Sequence, residues 1–316
     1  MLQENEEIVN NQKLSNGLGI LFAVMVAAHV GMSFLISLLV NKGIKISMSV
    51  QLMASELTIF IPSVIYILKK NLSFKDDLGF RPIKPGTVFM TLLAGALLYP
   101  FITFVNLISQ LFVPNTALEM SDALLTLEPG ILLLIGGFVG PFCEEFAFRA
   151  ILNNGMKKVT SILIAGLSSG LLFGMLHMNV NQFCYAFAMG AAFAFLNEVS
   201  NSVFGSIILH CAYNTMNLMA IIVETKLMKV TGTDAFSQAE VIRNSDIMYY
   251  AIGFFFIAAV IGLAILIPVV GWIAKHEGNS EVFGKFLKKP ADSARVLVTW
   301  GMLIGIAICV VMIIVK

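Results

Sequence analysis

Apolar residues in this chain come in long unbroken runs separated by polar connectors. They show neither the period of two of a half-buried strand nor the single apolar stripe of a soluble helix. A helix of roughly 20 such residues crosses the hydrocarbon core of a bilayer. Read window by window, the pattern predicts spans near residues 17–40, 48–68, 87–113, 130–152, 160–178, 180–198, 203–223, 248–273 and 296–315. The expected fold is all-α: a polytopic membrane helical bundle of about eight or nine transmembrane helices. The polar connectors at 69–86, 114–130, 224–247 and 275–295 are too short to be soluble domains. Those near 178–180 and 199–202 are so short that their flanking helices must be antiparallel neighbours. No internal repeat is visible, which removes the usual sequence sign of a secondary transporter.

Composition sharpens this picture. The chain is 58% hydrophobic and 12% charged, against about 25% charged in an ordinary soluble protein, and its mean hydropathy is +0.88. A soluble enzyme and a disordered tail protein are excluded, as is a β-barrel, whose strands would alternate. The formal net charge of +1 and the absence of a Lys/Arg block argue against nucleic acid as a partner. Cys143, Cys184, Cys211 and Cys309 lie in apolar runs without CxxC spacing, so neither a disulfide framework nor a thiolate zinc site is expected. The acidic N-terminal stretch leads into an apolar run with no small-residue cleavage pattern, which reads as a retained span. The terminal IIVK is not a CAAX box, so the chain is not expected to be a prenylation target itself. With nine spans and a cytoplasmic N-terminus, thirteen of nineteen loop Lys/Arg fall on the inner side and the C-terminus lies outside.

Ionisable groups in spans cost about 2.5–3.5 kcal/mol each on insertion scales. The fourth span nevertheless carries Glu144, Glu145 and Arg149 in GPFCEEFAFR. Glu145 and Arg149 stand i, i+4 with the acid first, the favourable order for a helical ion pair. Glu144 points about 100° away and is the freer acid. The fifth span ends with Phe173 and His177, and the seventh sets His210 and Asn214 on one helix face. A carboxylate, two imidazoles and an amide on three neighbouring helices could activate water and stabilise an oxyanion, with or without a metal. The same groups could also act as a polar knot that fixes helix packing. There is no HExxH motif. The levels do not coincide on ideal helices: His177 and His210 fall ~25 and ~10 Å above the inner ends of their spans. Other in-span polar residues rank lower. Glu56 could face the cavity or an opened backbone near Pro62; His29, with no polar partner at helical spacing, reads as a packing residue; Glu198 reads as a solvated helix end.

The motifs EExxxR at 144–149, FxxxH at 173–177 and HxxxN at 210–214 resemble, in order and on successive helices, those of the CAAX protease and bacteriocin-processing family of intramembrane endopeptidases. The resemblance covers about residues 130–225, flanked by generic spans at 1–129 and 226–316. LGFRP at 78–82 is similar to a sequence ahead of the core in bacterial members. The resemblance implies hydrolysis of a peptide bond in a membrane-anchored peptide or protein at the bilayer. Glu144 and His177 would activate water, His210 and Asn214 would hold the oxyanion, and Glu145, Arg149 and Phe173 would support them. It leaves the cofactor open between none and zinc, for which Glu144, His177 and His210 are the candidate ligands. A bacterial cell membrane is the expected location. A non-catalytic regulator of the same fold and, further off, a small-solute or proton transporter are the alternatives.

Overall fold

The computed structural model describes residues 2–231, 241, 243, 245–288 and 297–315. Residues 232–240, 242 and 244 of the connector at 224–247 and residues 289–295 of the connector at 275–295 therefore lie outside the described residues, as do several of the loop cations counted above. Among the described residues there is no strand, and nine apolar helices carry the fold: α1 Leu2–Asn41, α2 Met48–Lys70, α3 Pro85–Gln110, α4 Pro129–Met156, α5 Ile162–Leu176, α6 Val180–Ser200, α7 Val203–Thr231, α8 Asp246–His276 and α9 Trp300–Val315. Seven are long and apolar enough to cross a membrane; α5, with 15 residues, and α9, with 16, are shorter. The chain is an all-α, multi-pass integral membrane protein. Helix α1 begins at Leu2, well before the apolar run, because nothing in the acidic tail interrupts backbone pairing.

Local signals set the helix ends. Ser47, Ser161 and Asn179 accept the orphan amides of Val50, Ile164 and Gln182 at the starts of α2, α5 and α6. Asn71 and Asn201 take left-handed φ values of 50° and 52° to end α2 and α6. Helix α4 departs from regular winding: residues Ile135–Val139 and Phe146–Asn153 are π-helical on either side of an α-helical turn at Gly140–Glu145. Helix α7 begins at Val203, and His210 on it stands at the level of Glu144, its Nε2 lying 3.5 Å from Glu144 Oε2.

Two apolar clusters make up the interior. One joins α1, α2, α4, α5 and α9, and the other joins α3, α6, α7 and α8. Helices α5 and α6 cross closely enough that a Cβ on Gly170 would come within 2.7 Å of the Ala191 amide nitrogen. One on Gly190 would meet Gly170 Cα at 2.8 Å and Arg149 Nη2 at 3.0 Å. Small residues therefore both allow the crossing and leave room for the arginine.

The LGFRP segment clasps one end of the bundle. Asn154 Nδ2 donates to Leu78 O at 2.9 Å, Val203 N donates to Gly79 O at 3.0 Å, and Ser202 Oγ donates to Arg81 O at 2.5 Å. The Arg81 guanidinium donates to Asn201, and Lys158 pairs with Asp77 at 2.6 Å. Two readings are corrected here. Glu198 is not a solvated end: its side chain is 11% exposed and pairs with Lys157. His29 does have polar neighbours, on another helix: Thr58 Oγ1 at 3.2 Å and Ser55 Oγ at 3.5 Å from Nδ1.

Candidate active site

The site is assembled around Glu145, which is fully buried on α4. Its Oε2 lies 3.2 Å from Arg149 Nε, so the i, i+4 pair expected from the spacing is formed. Its Oε1 accepts from His210 Nδ1 at 2.9 Å, a link across 65 residues that no local pattern carries. The Arg149 guanidinium is also fully buried, and none of its three nitrogens makes a hydrogen bond. It lies instead over aromatic rings, 4.5 Å from the Phe173 centroid, 5.6 Å from Phe193 and 6.0 Å from Phe148. The quadrupoles of those faces favour a cation, so the arginine acts as a fixed charge for Glu145.

Glu144 projects to the other side, with 16% of its side chain exposed, and its Oε2 stands 3.5 Å from His210 Nε2. A carboxylate only accepts, so the bond to Glu145 places a proton on Nδ1 of His210. A neutral ring would then turn a bare Nε2 lone pair towards Glu144, and two acceptors repel. A proton on either atom would turn that 3.5 Å contact into a hydrogen bond. His210 bridges the adjacent acids, one through each ring nitrogen.

His177 caps the end of α5. Its Nδ1 donates to the Phe173 carbonyl at 3.0 Å, which leaves Nε2 with a free lone pair in the neutral ring. Asn179 holds the residue from the far side: Nδ2 donates to His177 O at 2.9 Å while Oδ1 caps α6. Between them Met178 takes a left-handed φ of 51°, a strained conformation for a side chain of that size. The Phe173 ring stands edge-on to both imidazoles, with centroids 5.0 Å from His177 and 5.8 Å from His210. Asn214 donates Nδ2 to Gly136 O at 3.2 Å, within the first π-helical turn of α4. One amide proton is used there and the other remains.

The structure thus brings Glu144, Glu145, Arg149, Phe173 and His210 together, with Asn214 one turn further along α7. His177 reaches the group through the Phe173 ring and makes no hydrogen bond to Glu144. The carboxylate meets His210 rather than His177. No three His, Cys, Asp or Glu side chains among the described residues are grouped to hold a metal, so Glu144, His177 and His210 do not form a three-ligand set. Glu56 is a neighbour given little weight in the sequence. A Cβ on Gly140 would lie 3.3 Å from Glu56 Oε1, and Gly140 is one turn before Glu144. The other Glu56 oxygen is buried without a partner. An acid alone in an apolar span was the signal that pointed to it.

A buried carboxylate–imidazole–carboxylate array inside a helical bundle defines a class: membrane proteins with groups suited to proton transfer within the bilayer. Comparison with known proteins narrows it. Residues 126–216 match the family model described as type II CAAX prenyl endopeptidase Rce1-like. A protein of Bacillus subtilis (strain 168) named "Putative membrane peptidase YdiL" is 32% identical over 85 residues, covering 27% of this chain and 35% of that protein. The similarity thus spans about a third of the relative's length. No solved structure matches.

Proposed function

We propose that the protein is an intramembrane endopeptidase that hydrolyses a peptide bond of a membrane-anchored peptide or protein. The observation that carries this reading is His210 standing between two acids, 2.9 Å from Glu145 and 3.5 Å from Glu144. Glu144 takes a proton from water, and His177 Nε2 orients that water by accepting its second hydrogen. The hydroxide adds to the carbonyl carbon. The oxyanion is met by the free Nδ2 proton of Asn214 and by Nε2–H of His210, whose imidazolium charge Glu145 balances. Glu144 passes its proton to the amide nitrogen, the C–N bond breaks, and the amine and carboxylic acid leave. Arg149 keeps Glu145 an anion throughout.

This is the metal-free course. It is supported by Asn214, a poor zinc ligand but a good donor, one turn from His210 on the same helix, and by the lack of a three-residue ligand cluster among the described residues. The reading includes a bacterial cell membrane with the N-terminus in the cytoplasm. The connector ends at 71–84, 154–158 and 201–203 are tied to one another, and in that topology they lie on the inner side with most of the loop Lys and Arg.

The test is cleavage of a lipid-anchored fluorogenic peptide by purified protein in detergent. Wild type and Glu144→Gln are compared, with and without a chelator, and bound metal is measured by elemental analysis. We expect Glu144→Gln to remain folded and lose at least ~100-fold in kcat, with the chelator doing little. Undiminished cleavage by Glu144→Gln overturns the assignment. Stoichiometric zinc whose removal and return track activity overturns the metal-free course.

A further inference from the structure

Away from the acids, at the end of the bundle clasped by LGFRP, a cavity of about 270 Å³ opens between the first turns of α1, the last turn of α2, the loop after it and the C-terminal end of α4. Its rim is cationic, with Lys13 from α1, Lys70 from α2 and Lys158 after α4. Asp77 is also on the rim, and it pairs with Lys158 at 2.6 Å. Lys13 and Lys70 have no ion-pair partner among the described residues. Its wall is apolar, made by Leu14, Leu18 and Ile151. Tyr66 lines the cavity, and its hydroxyl is shielded from solvent without a hydrogen-bond partner. That hydroxyl fits against α1 because Gly17 has no side chain: a Cβ there would lie 3.2 Å from it.

Two ammonium groups with no ion-pair partner among the described residues, over an apolar wall at the ends of membrane helices, match one ligand chemistry: a phosphate monoanion carrying acyl chains. We propose that this cavity binds the headgroup of an anionic glycerophospholipid, with Lys13 and Lys70 pairing its phosphate and an acyl chain lying along Leu14 and Leu18. Ala150 and Ile151, in the wall, belong to the same helix as Glu144, Glu145 and Arg149. A bound lipid would therefore brace the end of α4 by mass action on the folded state. This proposal does not depend on the protease reading.

The full chain in a neutral detergent is titrated with phosphatidylglycerol, with phosphatidylcholine, and with sn-glycerol 3-phosphate as the chainless headgroup. Retained lipid is followed by native mass spectrometry and stability by thermal melting. Phosphatidylglycerol is expected to be retained and to raise the melting temperature, and the other two are not. Lys13→Gln and Lys70→Gln, at exposed positions, should each weaken retention about fivefold. Equal retention of phosphatidylcholine, or undiminished retention by the two lysine variants together, overturns the site. Saturable binding of glycerol phosphate at the same strength overturns the lipid assignment in favour of a free-phosphate site. Because peptide cleavage is not part of the readout, failure here leaves the active-site test untouched.

Discussion

Arg149 and Glu145 are both at 0% exposure, 3.2 Å apart, and the arginine makes no hydrogen bond. Charges at that separation attract by about 5 kcal/mol at an effective dielectric near 20. Breaking such a pair by removing one partner costs about 3–5 kcal/mol, because the other charge is stranded. Glu145→Gln isolates the charge, since the amide oxygen still accepts from His210 Nδ1. Arg149→Met isolates the other half, filling similar volume without charge. Each single variant should melt roughly 6–10 °C below wild type in a detergent thermostability assay. The double variant should fall well short of the two losses added together, with a coupling of about 2–3 kcal/mol, because neither charge is then stranded. Single variants within a degree of wild type would refute the argument, as would a double variant whose loss equals the sum: the pair would then be an incidental contact rather than the electrostatic anchor of the site.

Three further outcomes follow from other contacts. Glu56→Leu should leave stability unchanged or raise it by about 1 kcal/mol, since one carboxyl oxygen is buried without a partner; a clear loss in the same melting assay would reveal a partner. Asn179→Ala should cost about 1 kcal/mol through the lost α6 cap and lower kcat severalfold by releasing the His177 carbonyl; normal kcat in a destabilised variant would show that His177 needs no such hold. The Lys158 hydrogen bond, then the Ser73 amide, hold the Asp77 carboxyl below its ordinary 3.8. The stabilisation is present above that ordinary value and lost as pH falls through the lower folded-state value. Both side chains are partly exposed, so Asp77→Asn should cost under ~1 kcal/mol at neutral pH. The difference from wild type should vanish in acid, and a difference that grows in acid would reverse the sign of the effect.

Much of this was legible in the chain because hydrophobic runs and i, i+4 spacing are local. The nine apolar helices, the Glu145–Arg149 pair and the shared face of His210 and Asn214 are all written within a few turns of sequence. The bond from His210 to Glu145 is not, since it depends on how α4 and α7 meet. Nor is the π-helical winding of α4: Phe146–Asn153 reads as ordinary helix. Glu198 was misread because a charge at a helix end is usually solvated, whereas here Lys157 arrives from the end of α4. The aromatic bed of Arg149 comes from Phe148, Phe173 and Phe193 on three helices, residues indistinguishable in sequence from the other phenylalanines.

The shortness of α5 bears on how the bilayer meets this protein. Fifteen residues rise about 22 Å, some 8 Å less than a typical hydrocarbon core, and Ile164 and Leu167 on that helix are exposed. Lipid along this flank must thin to match it, which draws the polar boundary towards His177 at the helix end. Water and a peptide segment can then approach the imidazole without crossing a full leaflet. Bilayer thickness thereby becomes a variable of the reaction: in reconstituted membranes, turnover should fall as acyl chains lengthen, while the melting behaviour of the protein in detergent stays the same.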